Sequence, residues 1–395
     1  MTVYDVVVAG GGPAGLQFAR ELGARTDYRV CLLEANPSLA DNDKSTGGTF
    51  EQVVDGFDVD ESVVMGSSPG VVFEGPTARE RLAIPNYVLD FPAFLEWLGE
   101  EAASDGVDVR TGTRVTGPLV EDGQVVGVET RGETIRANLV VDATGETGAL
   151  TTELGMWDRE AGQRGIGKEF EVSGTFDSDA MVFRFDHEVA PGGYAWVFPG
   201  DDRFKVGVCW VNDFYERHAT DDRSIDDYLR SWLERDDRWQ ADEIHATHAG
   251  AVVSDNSINQ RATDGFVAVG DSVSSINPLF GEGIRPGMES ARMAADVAID
   301  ALDADDVSRE RLAAYERRWD GEKGWDWRLQ RIVGELLYDF DAGQQDEFVR
   351  ASGEFSQAGL DRLQQYDLSI RDLLRLYPAR ASDFLKLPRV ARHLV

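Results

Sequence analysis

Hydrophobic positions near the start of the chain fall in short continuous runs, the pattern of strands buried on both faces. Residues 3–9 (VYDVVVA) form the first run and residues 30–33 (VCLL) the second, with a helix-forming stretch at 14–23 between them. Two later runs, Leu139-Val140-Val141 and Phe266-Val267-Ala268-Val269, have the same character. Residues 91–104 place Phe94, Leu95, Leu98 and Ala102 on one helical face, and a further helix is predicted from Ile284 to about residue 302. Between 107 and 136, short β-rich runs alternate with turns such as Asp122-Gly123, which predicts a small meander. Short strands within 70–84 belong to a second sheet. That sheet continues at 180–185, 194–198, 204–211 and 244–253, with a helix at 225–235 interrupting it. Residues 308–395 are helical in character, and no internal repeat is visible.

The polar punctuation between these elements carries the chemistry. Gly10-Gly11-Gly12-Pro13-Ala14-Gly15 follows the first strand directly and opens the first helix, and Glu34 closes the second strand. In this pattern Gly10 permits the tight turn, Gly12 lets backbone N–H groups approach a pyrophosphate, and Gly15 lets helix and strand pack closely. The helix N-terminus faces the phosphates, and Glu34 accepts the ribose hydroxyls. A second glycine-bearing site lies some 260 residues away: Gly270-Asp271 ends a strand and is followed by Pro278, Gly281, Gly283 and the helix opening at Ile284. A nicotinamide dinucleotide needs no such distant site, whereas a flavin extends far beyond the first phosphate. Asp271 suits ribitol hydroxyls, and the N–H groups at Gly283 and Ile284 suit the pyrimidine edge, where negative charge develops on reduction. Ala143-Thr144-Gly145 ends a third strand, in an Ala-Thr-Gly turn like that seen beside the adenosine half in flavin-binding proteins. The expected cofactor is FAD.

Those three segments resemble the glutathione-reductase-type FAD proteins, in the branch that holds aromatic hydroxylases, flavin halogenases and geranylgeranyl reductases. The resemblance covers most of the first 305 residues. Tyr194-Ala195-Trp196-Val197-Phe198-Pro199, then seven residues, then Gly207, is similar to the Y-x-W-x-F-P-x(7–8)-G-x-G signature of the geranylgeranyl reductase family. Three positions depart from the family pattern. Cys209 stands where the last glycine of the signature is expected. Thr46 replaces the cysteine of a Cys-Gly-Gly turn, here Ser45-Thr46-Gly47-Gly48-Thr49, and Phe91 replaces an arginine. The resemblance implies an α/β fold with a Rossmann-like FAD-binding domain (1–65, 92–160 and 256–307). It also implies an antiparallel-sheet substrate domain (66–91 and 161–255) and a C-terminal helical region (308–395). Thr46, Gly47 and Gly48 would then lie near the flavin. Alternation sends Tyr194, Trp196 and Phe198 to one face of a strand, either as a core stripe or as the wall of an apolar tunnel.

Charge modifies this picture. Acidic residues number 72 against 39 basic ones, net −33, and only five of the basic residues are lysines. An acid-rich, lysine-poor chain with a normal apolar content suits the cytoplasm of a salt-accumulating halophile, where the Debye length falls to roughly 3 Å and self-repulsion is screened. So negative a surface argues against nucleic acid. Cys31 and Cys209 form no C-x-x-C, and the five histidines show no metal-ligand spacing, so no metal is expected. No apolar run reaches the length of a membrane span, and the expected location is cytoplasmic, at most attached to a membrane surface. The segment 371–395 carries six basic and two acidic residues interleaved with leucines. It can lie on an anionic membrane as a peripheral contact or pack on the acidic body of the chain, and self-complementarity favours the second.

The combined expectation is an FAD-dependent oxidoreductase that saturates isolated C=C bonds of geranylgeranyl chains on archaeal lipids or their precursors. Hydride would pass to one alkene carbon and a proton to the other, the alkene being held within about 3–3.5 Å of the donor in a dry site. The substrate is a polyprenyl or other apolar small molecule. With a single dinucleotide fingerprint, the electron donor is transient NAD(P)H, ferredoxin or a deazaflavin. The alternatives are an FAD-dependent monooxygenase of the aromatic hydroxylase type and an electron-transfer flavoprotein. No residue identifies itself as the proton donor.

Overall fold

The runs of apolar residues pair as their composition dictates. In the computed structural model, which describes residues 3–158, 162–200, 203–236, 238–254, 258 and 260–380, strand Val3–Ala9 lies at the centre of a sheet. It is flanked in parallel by Thr134–Asp142 on one side and Val30–Leu33 on the other. Phe266–Ala268 and Asp108–Arg110 extend the sheet outward, also in parallel. The hairpin Val115–Glu121/Gln124–Thr130 joins antiparallel to Thr134–Asp142, as the meander predicts. Helices Pro13–Arg25, Phe91–Ser104 and Ile284–Asp303 pack together on one face of this sheet. Their small and branched residues, from Leu16 and Phe18 to Ala291 and Ala294, form a dry core with Val6 and Val8.

A second sheet of seven strands supplies the other half of the molecule. Its order runs Trp239–Ser254, Gln163–Phe176, Arg203–Val211, Gly193–Pro199, Met181–Arg184, Val71–Glu74, Arg79–Leu82. All neighbours are antiparallel except Met181–Arg184 with Val71–Glu74. One face is closed by helix Ile225–Arg235 through Tyr228, Leu229 and Trp232. The other face carries the aromatic stripe. A small third sheet, Gly48–Phe50, Asn86–Leu89 and Val64–Ser68, links the two halves.

The C-terminal helices are not an appendage. Helix Trp325–Leu337 and the helices that follow pack against the second sheet through Phe348, Leu360 and Leu363. Short helix Ile370–Leu376 begins the basic segment, and Arg380 pairs with Glu347 on helix Ala342–Gly353. The rest of that segment, 381–395, lies outside the described residues, and with it the question of a membrane contact. No described helix is long and apolar enough to cross a membrane.

Candidate active site

A single cavity of about 560 Å³ runs from the first glycine turn, across the face of the second sheet, to the C-terminal helices. Its walls include Gly10, Gly12, Pro13, Ala14, Glu34, Ala143, Gly145, Gly270, Asp271, Pro278, Gly281, Gly283 and Ile284 at one end. Tyr194, Trp196 and Phe198 line the other end, with Thr46 and Gly48 between. Two expected residues are not in that wall. Gly15 sits one turn inside the helix, where a Cβ would meet the Gly10 carbonyl oxygen at 2.0 Å, so its role is packing. Gly47 (φ +74°) makes the turn itself and abuts the Leu89 carbonyl; its neighbour Gly48 reaches the cavity and packs on the Phe198 ring.

The first turn opens a helix at the cavity edge. Gly10, at φ +113°, lies so close to Ala143 that no side chain fits. Pro13 occupies the first helical position, leaving the N–H groups of the first turn without intrahelical acceptors. Glu34 is buried and its oxygens accept N–H bonds from Gly11 (2.8 Å) and Asn36 (2.7 Å), which fixes the carboxylate at the cavity edge with lone pairs to spare. The other turns are tied to one another by Asp142, a fully buried carboxylate at the end of its strand. It accepts from Thr144, Leu150, Thr151 and the Ser272 hydroxyl (3.1 Å), and Ser272 in turn accepts the Gly145 N–H at 3.1 Å. The Ala143–Gly145 and Gly270–Val273 turns are thus one hydrogen-bonded unit.

Asp271 is unlike these. Its Oδ1 is shielded from solvent and has no hydrogen-bond partner among the described residues, and burial pushes the carboxyl up to about 6. Such an orphaned acceptor in a cavity wall calls for a donor from a bound molecule. The loop that follows is pinned from three sides. Asn277 Oδ1 accepts the Leu279 and Phe280 N–H groups, the Tyr194 hydroxyl donates to Phe280 O (2.7 Å), and the Tyr338 hydroxyl donates to Leu279 O (2.9 Å). Glu282 is held by the Arg285 N–H and the Tyr366 hydroxyl, each at 2.8 Å; burial nevertheless raises its carboxyl to about 7.

The aromatic stripe is both core and wall. Trp196 and Phe198 belong to the hydrophobic cluster shared with the C-terminal helices, and they line the cavity with Tyr194, Phe183, Phe185 and Phe73. Their rings contact edge-on or tilted at centroid distances of 5.3 to 6.3 Å. Cys209, at the departure from the glycine signature, faces Gly167 across the strands, so its extra volume is absorbed there. Its thiol is pushed up to about 12 by burial, which leaves it unreactive. Thr46 uses its carbonyl to accept from the buried Lys205 ammonium at 2.8 Å, while Phe91 is the first residue of a helix capped by Asp90 and is buried in the core. Sequence reasoning missed Asp142, Glu169, Lys205, Tyr338 and Tyr366. Asp142 directly precedes the Ala143-Thr144-Gly145 turn, where its role could have been sought; the other four acquire their places from strand register or from a distant helix.

Comparison with known proteins follows the same lines. The lycopene cyclase protein family matches residues 5–382. A digeranylgeranylglycerophospholipid reductase of Haloferax volcanii is 37% identical, covering 94% of this chain and 90% of its own. The chain belongs to the digeranylgeranylglycerophospholipid reductase family. Among solved structures, a geranylgeranyl bacteriochlorophyll reductase-like protein from Thermoplasma acidophilum superposes with a TM-score of 0.83 at 22% identity, covering 99% of this chain and 100% of its own. The flavin-dependent brominase Bmp2 shares the fold at a TM-score of 0.72 and 17% identity, over 99% and 100% of the two chains. Membership in a reductase family on a flavoprotein fold makes this chain an oxidoreductase, and its acid-rich composition agrees with a halophilic relative.

Proposed function

We propose that the chain binds FAD along the cavity and reduces isolated C=C bonds of geranylgeranyl chains on archaeal lipids or their precursors. The observation that carries this reading is the continuity of the cavity: a glycine-lined phosphate cradle and an aromatic wall share one space. The residues fit the cofactor. N–H groups at the start of helix Pro13–Arg25 take the pyrophosphate, Glu34 takes the adenosine ribose, and the orphaned Asp271 Oδ1 accepts a ribitol hydroxyl. Gly283 and Ile284 open helix Ile284–Asp303; Glu282 takes the Arg285 N–H, and the N-cap glycine has no side chain to cover the Gly283 and Ile284 N–H groups, which suit the pyrimidine edge. In this assignment residues 1–65, 92–160 and 256–307 form the FAD-binding domain, and 66–91 with 161–255 form the substrate domain.

Bound and reduced, FAD supplies the hydride. The protein supplies position and dryness. Tyr194, Trp196 and Phe198 offer an apolar surface on which a polyprenyl chain can lie, and Phe73, Phe183 and Phe185 extend it. Gly48 lets the chain backbone approach closely between the two ends of the cavity.

The test is anaerobic photoreduction of the flavin-loaded protein in concentrated KCl, followed by an unsaturated geranylgeranyl lipid. Flavin reoxidation with a gain of two hydrogens per double bond is the expected result. A flavin that stays reduced with the lipid and reoxidises rapidly only in air would refute the reductase reading in favour of a monooxygenase.

A further inference from the structure

We infer that Glu169 is the acid that delivers the proton during alkene reduction: its carboxyl stands buried in the cavity wall behind Trp196, with one oxygen held by the indole and the other free to serve. This rests on the prenyl-reductase reading above and adds the group that the sequence leaves unnamed. An isolated alkene has no polarising substituent, so hydride arriving at one carbon must be matched by a proton at the other, and water is excluded from an apolar tunnel.

The placement follows from register. Trp196, Gly207, Glu169 and His248 stand opposite one another across four adjacent strands. Gly207 carries no side chain, and a Cβ there would lie 2.0 Å from the Trp196 ring. The indole therefore lies across the intervening strand, and its Nε1–H reaches Glu169 Oε2 at 2.7 Å. Glu169 is 2% exposed, and its Oε1 is shielded from solvent without a hydrogen-bond partner among the described residues. An ionised carboxylate left this way forfeits hydration on one oxygen, so the protonated form is favoured. Burial raises the carboxyl above the usual range. Lys205 on the next strand, the Trp196 indole and His248 on the outer strand lower it in part, and Glu171 on its own strand raises it.

Other carboxyls in the cavity wall are committed elsewhere. Glu34 and Glu282 have both oxygens engaged by donors, Glu335 pairs with Gln163 and Arg331, and Asp271 and Glu146 stand among the glycine turns. A route for replacing the proton leads outward from Glu169. His248 lies with Nε2 3.6 Å from Glu171 and Nδ1 3.3 Å from Asp43, and the Asp43 side chain is 55% exposed. The Glu171 contact raises the His248 pKa, which suits a group that collects protons from water.

The step balances as follows. The alkene π pair takes the proton as the Glu169 O–H bond breaks, forming one C–H bond. The hydride from reduced FAD forms the other, so the alkene gains two electrons that the cofactor loses. The Glu169 carboxylate is then reprotonated from solvent through His248.

Glu169→Gln and Glu169→Asp are compared with the parent protein by two readouts. In the absence of lipid, infrared difference spectra of parent minus Glu169→Gln should show a protonated carboxyl C=O band near neutral pH. In single turnovers, Glu169→Gln should slow flavin reoxidation by the geranylgeranyl lipid by about 100-fold or more. FAD affinity and reoxidation by air should stay unchanged in it, and Glu169→Asp should recover part of the rate. A Glu169→Gln rate within about threefold of the parent, or no carboxyl band assignable to Glu169, overturns the assignment while leaving the reductase reading intact. A parent protein inert toward the lipid overturns the reductase reading itself.

Discussion

Gly207→Ala tests the cavity wall most directly. The position has ordinary strand backbone, so alanine brings no conformational strain; strand propensity alone favours it by about 0.5–1 kcal/mol. The new methyl, however, would stand 2.0 Å from Trp196 Cζ2 and 2.1 Å from Cε2. Either the indole leaves its place or the strands part. Overpacking of this kind costs about 1–3 kcal/mol. If the indole moves, Glu169 loses its hydrogen bond and stands buried with both oxygens unpaired, a further loss of about 1–3 kcal/mol. The net expectation is a destabilisation of about 3 kcal/mol. It is measured by urea unfolding in concentrated KCl with FAD at one fixed excess, since ligand binding shifts apparent stability. Repeating the substitution on a Trp196→Phe background separates the cause. The smaller ring removes the collision, so Gly207→Ala should then cost less than about 1 kcal/mol, a coupling of at least about 2 kcal/mol. An unchanged cost on both backgrounds, or a loss under about 0.5 kcal/mol in the parent, would refute the packing argument.

Gly12→Ala should leave folding intact, because a Cβ there meets nothing closer than Asn42 Nδ2 at 3.9 Å, yet lower FAD affinity by about 10-fold or more by filling the pyrophosphate cradle. Flavin fluorescence titration beside a melting curve distinguishes this from general damage. Asp271→Ala should weaken FAD binding by about 10-fold as well, and in the parent protein binding should change as pH falls through about 6, where this carboxyl takes up its proton. His187 stacks on His218 with ring centroids 3.8 Å apart, and burial depresses its pKa to about 4. A base depressed in the folded state binds fewer protons than the unfolded chain between pH 6.5 and 4. Stability should therefore drop by at most about 3 kcal/mol on acidification through that window, and His187→Gln should flatten the slope. Glu282, raised to about 7, has the opposite sign: the folded state binds the extra proton, so this contribution is lost as pH rises from 4.5 to 7, and Glu282→Gln removes it.

The half of the cavity lined by glycine turns was largely legible as structure because its signals are local. A strand, a glycine turn, a helix start and an acid at the next strand's end fall within 34 residues, and backbone geometry alone demands glycine at Gly10. Helices Ile225–Arg235 and Phe91–Ser104 have the bounds expected of them, and Phe94, Leu95, Leu98 and Ala102 are buried on the second. Strand Gln163–Phe176 escaped individual notice because Gly165, Gly167, Glu169 and Glu171 occupy one of its faces. A buried face of glycines and acids shows no hydrophobic alternation. That same face holds Glu169, so the feature that hid the strand is the one that gives the wall its acid. Nor does any spacing in the chain connect Tyr366 to Glu282. Their bond exists because helix Gln357–Gln365 ends in a left-handed residue that turns the phenol back toward the cavity. Gly47 and Gly48 illustrate a finer division: both were expected near the cofactor, and only the second reaches the cavity, because the first is used up in making the turn.

The hydrogen bonds around Asp142 and Glu282 also set an order of events during synthesis. The turn at Gly145 leans on Ser272, and the loop at Glu282 leans on Tyr366, so the cavity wall has no finished form while the ribosome is still making its middle. A nascent chain can fold its opening strand–helix–strand early, but the ties that complete the cavity wall wait for Ser272 and then for Tyr366. If the chain binds FAD as proposed, termination before residue 366 should leave the Glu282 loop without its phenol and weaken cofactor loading, which would make colour a report on completeness.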